Sequence, residues 1–332
     1  MRENIFLTLG SPLVDIIASV DRKFLNNHGL KFNDAVKATE KHKQLFQDLV
    51  DFQPKYQAGG CALNTARALQ WTLNIPKFCM VFGAIGKDNY SEILKRQLNN
   101  ESVNYIFEEI PGEETGKCAV LLNGRNRSLC TDLGASKYFD FKHLKNKKVW
   151  NVVENAKFYY VPGFFFGVSF ECIMEVAEHS FLQGKIFTFN LSAPFLSQMY
   201  KKELEILLPF VDIIFGNESE VRAYAKVLNF NSNNLHEILL YINNLPKKKE
   251  SRRRITVITR GPKPVCLVQN NCVTEYVVNE IADSRIVDTN AAGDAFVGAF
   301  MAEYIMEKSI DKCILAGIFV AIRILYNVGC SF

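Results

Sequence analysis

With 332 residues, 48% of them apolar and 22% charged, the chain has material for one large domain with a smaller appendage, or for two ordinary domains. A net charge of +4 is too mild to point to nucleic acid, and no run of about eighteen apolar residues suggests a membrane span. Nine cysteines fall without a CxxC pair or zinc spacing, and Met1-Arg2-Glu3-Asn4 leads into the apolar Ile5–Leu9 without a signal-peptide core. A cytoplasmic protein with reduced thiols is therefore expected.

From the N-terminus, the apolar run Ile5–Leu9 reads as a strand, and Val14–Val20 continues it with little interruption. An amphipathic helix over Cys61–Leu73 precedes a strand over Phe78–Ala84 and a helix over Tyr90–Asn99. Cys118–Leu122 and Arg127–Cys130 flank Asn123-Gly124, a hairpin signal because a type I′ turn needs positive φ at both central positions. Strands follow over Phe158–Val161, Ile186–Asn190, Ile213–Gly216 and Ile255–Thr259, with helices over Phe170–Gln183 and Glu218–Leu228. The basic run Lys247-Lys248-Lys249-Glu250-Ser251-Arg252-Arg253-Arg254 reads as a solvated loop, with a nuclear-import signal as the sharper alternative. A strand-like Arg285–Val287 precedes two helices, Asp294–Glu307 and Asp311–Tyr326.

Apolar strands alternating with helices predict an α/β fold, its mostly parallel sheet sandwiched between helices. The segments that break the alternation are expected to form a small β lid. The expected division is a large domain over 1–13, 60–113 and 136–332, with the lid over 14–59 and 114–135.

The strongest chemical signal is Asp288-Thr289-Asn290-Ala291-Ala292-Gly293-Asp294-Ala295-Phe296, small residues that open an apolar helix. Unpaired N–H groups and the helix dipole at such a start suit a phosphoryl group. Asp294 there is either a proton acceptor for an attacking hydroxyl or an ordinary dipole-complementing residue. Ala58-Gly59-Gly60-Cys61-Ala62-Leu63-Asn64 puts two glycines before a helix, so that a ligand can approach the backbone while Asn64 meets a diol. Asn217-Glu218-Ser219-Glu220 after a strand fits an N-cap whose capping box is completed by Glu220. Gly112-Glu113-Glu114-Thr115-Gly116-Lys117 imitates a P-loop, but it is one residue short and Cys118 stands where Ser or Thr would hold Mg²⁺, so Lys117 reads as lid surface.

The nine-residue string resembles the C-terminal signature of the ribokinase-type (PfkB) carbohydrate kinases, DTxGAGD or DTxAAGD, and Gly59-Gly60 with Asn64 resembles that family's sugar-binding turn. Likeness to the adenosine-kinase branch runs over nearly the whole chain, through Ser11–Ile16, Gln70-Trp71, Glu92–Arg96, Asn126–Leu129, Gly163–Phe165, Asn190–Phe195 and Phe215–Glu218. Ala291 stands where that branch usually has Gly.

The resemblance implies a ribokinase-like fold and transfer of phosphate from ATP to the 5′-hydroxyl of adenosine, giving AMP, with Mg²⁺. Asp294 would be the base, with the Ala291-Ala292-Gly293 amides and Arg127 on the transferring group. Asp15, Gly59, Gly60 and Asn64 would bind the ribose. Phe164 would stack on the purine beside Leu13, Cys118, Leu133 and Phe195. ATP would meet Asn217, Thr259, Gly261 and Asn290, and Asn217 with Glu220 would hold Mg²⁺ through water. Another purine nucleoside or a free sugar is the alternative substrate, and a nucleoside-binding relative without catalysis is the alternative class. Adenosine and ATP are the expected partners of a monomer, with no nucleic acid or membrane.

Overall fold

The computed structural model describes residues 3–124 and 126–332. Its strands, in chain order, are β1 (Phe6–Leu9), β2 (Leu13–Ser19), β3 (Ala35–Lys37), β4 (Lys55–Gly59), β5 (Cys79–Ile85), β6 (Asn104–Glu109) and β7 (Gly116–Asn123). They continue as β8 (Asn126–Asp132), β9 (Phe158–Pro162), β10 (Ile186–Asn190), β11 (Ile213–Asn217), β12 (Ile255–Arg260), β13 (Lys263–Gln269) and β14 (Cys272–Tyr276). By compactness the chain falls into two units, one of Met1–Gly10, Phe78–Met80 and Asp140–Ile281, the other of Ser11–Lys77, Val81–Phe139 and Ala282–Phe332.

The first unit is built on the strand order β14-β13-β12-β11-β10-β9-β1. From β1 to β12 every neighbouring pair is parallel, while β13 and β14 add an antiparallel edge. Buried on their faces, the parallel strands need continuous apolar runs: Ile213, Ile214 and Phe215 of β11 are all buried. Helices Phe170–Leu182, Glu218–Val227 and Leu235–Asn243 connect these strands.

The basic run is a loop, exposed at Lys248, Glu250, Ser251 and Arg253 as expected, but three of its cations are engaged. Lys247 Nζ pairs with Asp212 at 2.7 Å, and Arg252 donates to Asp212 and to the Lys185 carbonyl. Arg254 is 2% exposed and donates to the carbonyls of Leu208, Val211, Ile242, Asn243, Leu245 and Pro246. Its desolvation is offset by this ring of acceptors, although burial still pulls its pKa down to about 10.

In the second unit a five-stranded sheet runs β3-β8-β7-β2-β4. β2 pairs parallel with β7 and antiparallel with β4, so Val14–Val20 does not prolong β1: the chain breaks at Ser11-Pro12 and β2 enters a different sheet. The hairpin of β7 and β8 forms, but Asn123 pairs with Asn126, which moves the two-residue loop one position on. Gly124, at φ +56°, takes its first position. Its second position, residue 125, lies outside the described residues.

Helix Ala292–Ile305 packs against both Cys61–Leu73 and Ile310–Leu325. A Cβ at Gly298 would lie 2.5 Å from the Thr65 carbonyl oxygen, so only glycine lets these two helices approach this closely. Ahead of the signature there is no strand: Asp283–Arg285 is a 3₁₀ turn, and Ile286-Val287 is irregular.

Candidate active site

Asp15 sits in the middle of β2, 4% exposed among apolar neighbours. It is opposite Gln57 on β4 and Cys118 on β7. Two residues beyond Gln57, Gly59 makes room for it: a Cβ there would be 2.2 Å from Asp15 Oδ1. Gly60 has φ +93°, and a Cβ on it would strike the Ser11 carbonyl oxygen at 2.2 Å. Both glycines are therefore required by geometry, before any ligand is considered.

Gly60 starts the helix Cys61–Leu73, and one turn in Asn64 is buried. Asn64 Nδ2 donates to Asp294 Oδ2 at 3.0 Å, while its own Oδ1 is buried without a partner. A buried amide oxygen left unpaired costs free energy, so it marks a place where a hydroxyl donor belongs.

Asp294 is the third residue of Ala292–Ile305, a helix that no side chain caps. Its leading residue Ala291 has φ +61°, a left-handed conformation that favours glycine. Around Gly293 a Cβ would meet nothing within 4 Å, so there is open space beside this helix start, whose first amides have no intrahelical acceptor. Burial pushes the Asp294 carboxyl up to about 7, against the pull of its bonds with Asn64 and Cys61 and of the Arg127 charge. Asp15 also reaches about 7: burial dominates, Arg67 opposes it, Asp294 and Asp288 add to it, and Arg127 opposes it. Two carboxyls held near neutrality in one site are characteristic of acid–base chemistry.

Arg127 on β8 and the segment Ile286–Thr289 line a cavity of about 190 Å³. The guanidinium stands 4.0 Å from Asp288 Oδ1, and its Nε is buried with no hydrogen-bond partner. Asp288 is otherwise committed, accepting from Asn290 N at 2.8 Å and from Gly329 N at 3.0 Å. Arg127 thus keeps donors available beside the helix start. Leu13 and Cys118 share one apolar cluster with Ile17 and Val120, and Leu133 packs against it.

The remaining expected residues belong to the first unit. Phe164 is 43% exposed and Phe195 53%, with ring centres 6.4 Å apart, while the neighbouring Phe165 is core. Asn217 caps Glu218–Val227: its Oδ1 accepts from Glu220 N, and Glu220 Oε2 accepts from Asn217 N at 2.9 Å, a reciprocal capping box. Thr259 lies near the end of β12, and Gly261 (φ +61°) begins the tight turn into β13.

Lys117 is not plain surface, for its ammonium pairs with Glu114 at 2.7 Å and lies over the rings of Phe46 and Tyr90. His236, Cys266 and Glu275 bring potential metal-ligand atoms within 4.8 Å of one another. Arg260 already donates to both Cys266 and Glu275, which leaves that cluster an ion-pair network.

Two residues at the site escaped the sequence reading, Gln57 and Arg67, and Asp288 was read only as part of the signature string. The signal for Arg67 was a charge within an otherwise buried helical stretch, Ala62–Gln70.

A model of the pfkB family of carbohydrate kinases matches residues 27–332. The chain belongs to that family. It is a kinase, and its large, mostly parallel α/β sheet is the ribokinase-like fold expected of it. Adenosine kinase 2 of Arabidopsis thaliana is 39% identical over 331 residues, 99% of this chain and 96% of the relative. Anopheles gambiae adenosine kinase, solved in complex with P1,P4-di(adenosine-5) tetraphosphate, superposes with a TM-score of 0.95 at 41% identity, covering 99% of this chain and 98% of that one. Schistosoma mansoni adenosine kinase in complex with adenosine and AMP gives a TM-score of 0.92 at 33% identity over 100% and 98% of the two chains. Among the described residues, no helix is long and apolar enough to cross a membrane.

Proposed function

We propose that this kinase transfers the γ-phosphoryl group of ATP to the 5′-hydroxyl of adenosine, releasing ADP and AMP. The observation that carries the reading is the Asn64–Asp294 hydrogen bond beside the open helix start at Gly293. It puts a diol-binding amide and a proton acceptor on one ligand. Asp15, Gly59, Gly60 and Asn64 hold the ribose, with Asn64 Oδ1 accepting from a sugar hydroxyl. Asp294 takes the 5′-hydroxyl proton as that oxygen attacks the γ-phosphorus, and the bond to the β-phosphate oxygen breaks. The Ala291, Ala292 and Gly293 amides and Arg127 stabilise the charge spread over the transferring oxygens. A base whose pKa is near 7 is well matched to this work at neutral pH.

The five-stranded sheet, which carries Asp15 and Arg127, is the proposed lid, and its closure excludes water from the transfer. Phe164 and Phe195 are the residues we assign to the purine, and their exposed rings favour a base-bearing substrate over a free sugar; Leu13, Cys118 and Leu133 are assigned to the nucleoside from their own apolar cluster. Asn217, Thr259, Gly261 and Asn290 receive ATP.

Both oxygens of the buried Glu220 carboxylate already accept from Asn217, so the pair suits a hydrated Mg²⁺ held through its waters. Bound there, the ion would neutralise phosphate charge. We place the working enzyme in the cytoplasm as a monomer, and the engagement of Lys247, Arg252 and Arg254 weighs against a nuclear address.

ADP release measured with adenosine, inosine, guanosine and ribose tests the reading. Adenosine should lead in kcat/KM. Equal turnover of ribose would make the chain a sugar kinase, and adenosine binding without ADP release would make it a binding protein.

A further inference from the structure

Arg67 lies one turn beyond Asn64 on the helix Cys61–Leu73, and it is 2% exposed. A buried guanidinium survives only when nearly all its donors are satisfied. Here Nε and Nη2 fork onto Glu101 at 2.6 and 2.8 Å. Nη1 donates to the Ala58 carbonyl at 3.0 Å, and Nη2 also donates to the Cys330 carbonyl at 2.8 Å.

Both carbonyls are informative. Ala58 immediately precedes the Gly59-Gly60 turn, and its amide is tied on its other side to Gln97 Oε1 at 2.7 Å. The Cys330 carbonyl also accepts from Gln57, which faces Asp15 across the β2–β4 ladder. Next to Cys330, the Gly329 amide donates to Asp288. One side chain therefore ties the strand that faces Asp15 to the C-terminal segment that holds Asp288.

We infer that Arg67 is a positioning residue for nucleoside binding: it fixes the Gly59-Gly60 turn against the C-terminal segment, and its buried positive charge favours the carboxylate of Asp15 that accepts the ribose hydroxyls. The inference deepens the function proposed above and rests on it. The charged and titratable groups bearing on Asp15 are Arg67 from its helix, Asp294 from Ala292–Ile305, Asp288 from the preceding loop, and Arg127 from β8. The Cys118 thiol on β7 and the Cys330 thiol at the C-terminus also feel Asp15, and burial keeps both protonated at neutral pH. Arg67 is the largest influence opposing the protonation of Asp15. Ionised Asp15 accepts from a diol, so affinity is lost as pH falls through its pKa, and removing a nearby positive charge moves that loss to higher pH.

The test is adenosine affinity of the full chain, measured by calorimetry without ATP from about pH 5.5 to 8.5, a window that brackets both carboxyls. Wild type must first bind adenosine, and failure there overturns the functional reading rather than this one. Arg67→Met should weaken binding about ten-fold or more, as loss of orientation does, and raise its pH midpoint by roughly half a unit or more. Arg67→Lys should keep the midpoint while still weakening binding, because charge is retained and the fork is lost. Glu101→Gln leaves the guanidinium in place with less of its charge compensated, so the midpoint should fall; this variant decides the matter should Arg67→Met not fold. An unmoved midpoint in a folded Arg67→Met, or an unmoved or raised one in Glu101→Gln, overturns the inference.

Discussion

Asn64 and Asp294, 230 positions apart in the chain, share one hydrogen bond of 3.0 Å, and through it the sugar side and the phosphate side of the site are oriented by the same contact. The bond favours the ionised form of Asp294. Asn64→Ala should therefore do two things. Adenosine affinity should drop, and the pH at which kcat reaches half its plateau should move above its wild-type position. The sign follows from the role of Asp294: transfer needs its carboxylate, a lost hydrogen bond raises its pKa, and the rate then collapses at a higher pH. A kcat–pH profile on both proteins checks it; coincident profiles would show that the contact does not tune the base.

Asp294→Asn preserves size and shape while removing the proton acceptor. Loss of general-base assistance costs about 10²–10⁴-fold in rate. The helix has no side-chain cap to lose, so melting temperature and adenosine affinity should stay near wild type. Retention of more than about a tenth of wild-type kcat, far above that range, would exclude Asp294 as the base.

Arg127→Ala should lower kcat far more than it raises the adenosine KM. The unpartnered Nε beside a 190 Å³ cavity marks donors held for a group that arrives with the reacting complex. Steady-state kinetics in both substrates separate the two parameters. A rise in KM alone would make Arg127 a ground-state contact.

Phe164→Ala should weaken adenosine binding by about 1–3 kcal/mol, the scale of base–aromatic stacking. Because Phe164 is 43% exposed, stability should hardly change, which distinguishes it from the buried Phe165. Unchanged affinity would remove it from the pocket.

Ala291→Gly should raise stability slightly, by up to about 1 kcal/mol, because the left-handed backbone strain exceeds glycine's entropic cost. Paired melting curves decide, and a lower melting temperature would show that the methyl packs more than it strains. Ala291 does lie in the alanine cluster with Ala68, Ala295 and Ala299.

Long periodic segments were legible in the sequence to within a residue or two. The helix Cys61–Leu73 and the strand Ile186–Asn190 have the bounds their apolar patterns predict. β4, Lys55–Gly59, was not legible: its first two residues are exposed and its last three buried, so no period of two is written in it. β14 likewise reads as a mixed polar segment and owes its place to its partner β13. At the site, motif residues announced themselves because small residues cluster before a helix. Gln57 and Arg67 did not, because what distinguishes them is which distant backbone groups they reach, and no local spacing encodes that.

The six carbonyls gathered around Arg254 bear on how the chain could be handled in a cell. A receptor that grips a cationic peptide needs it extended and detached. Presenting residues 247–254 in that way would strip the buried guanidinium from its acceptors, at a cost of about 1–3 kcal/mol for each buried group left unpaired. The whole segment can be read as an extended cationic peptide only before the chain has folded, or after it has come apart; in the folded enzyme Lys247, Arg252 and Arg254 serve as internal scaffolding, while Lys248 and Arg253 remain at the surface.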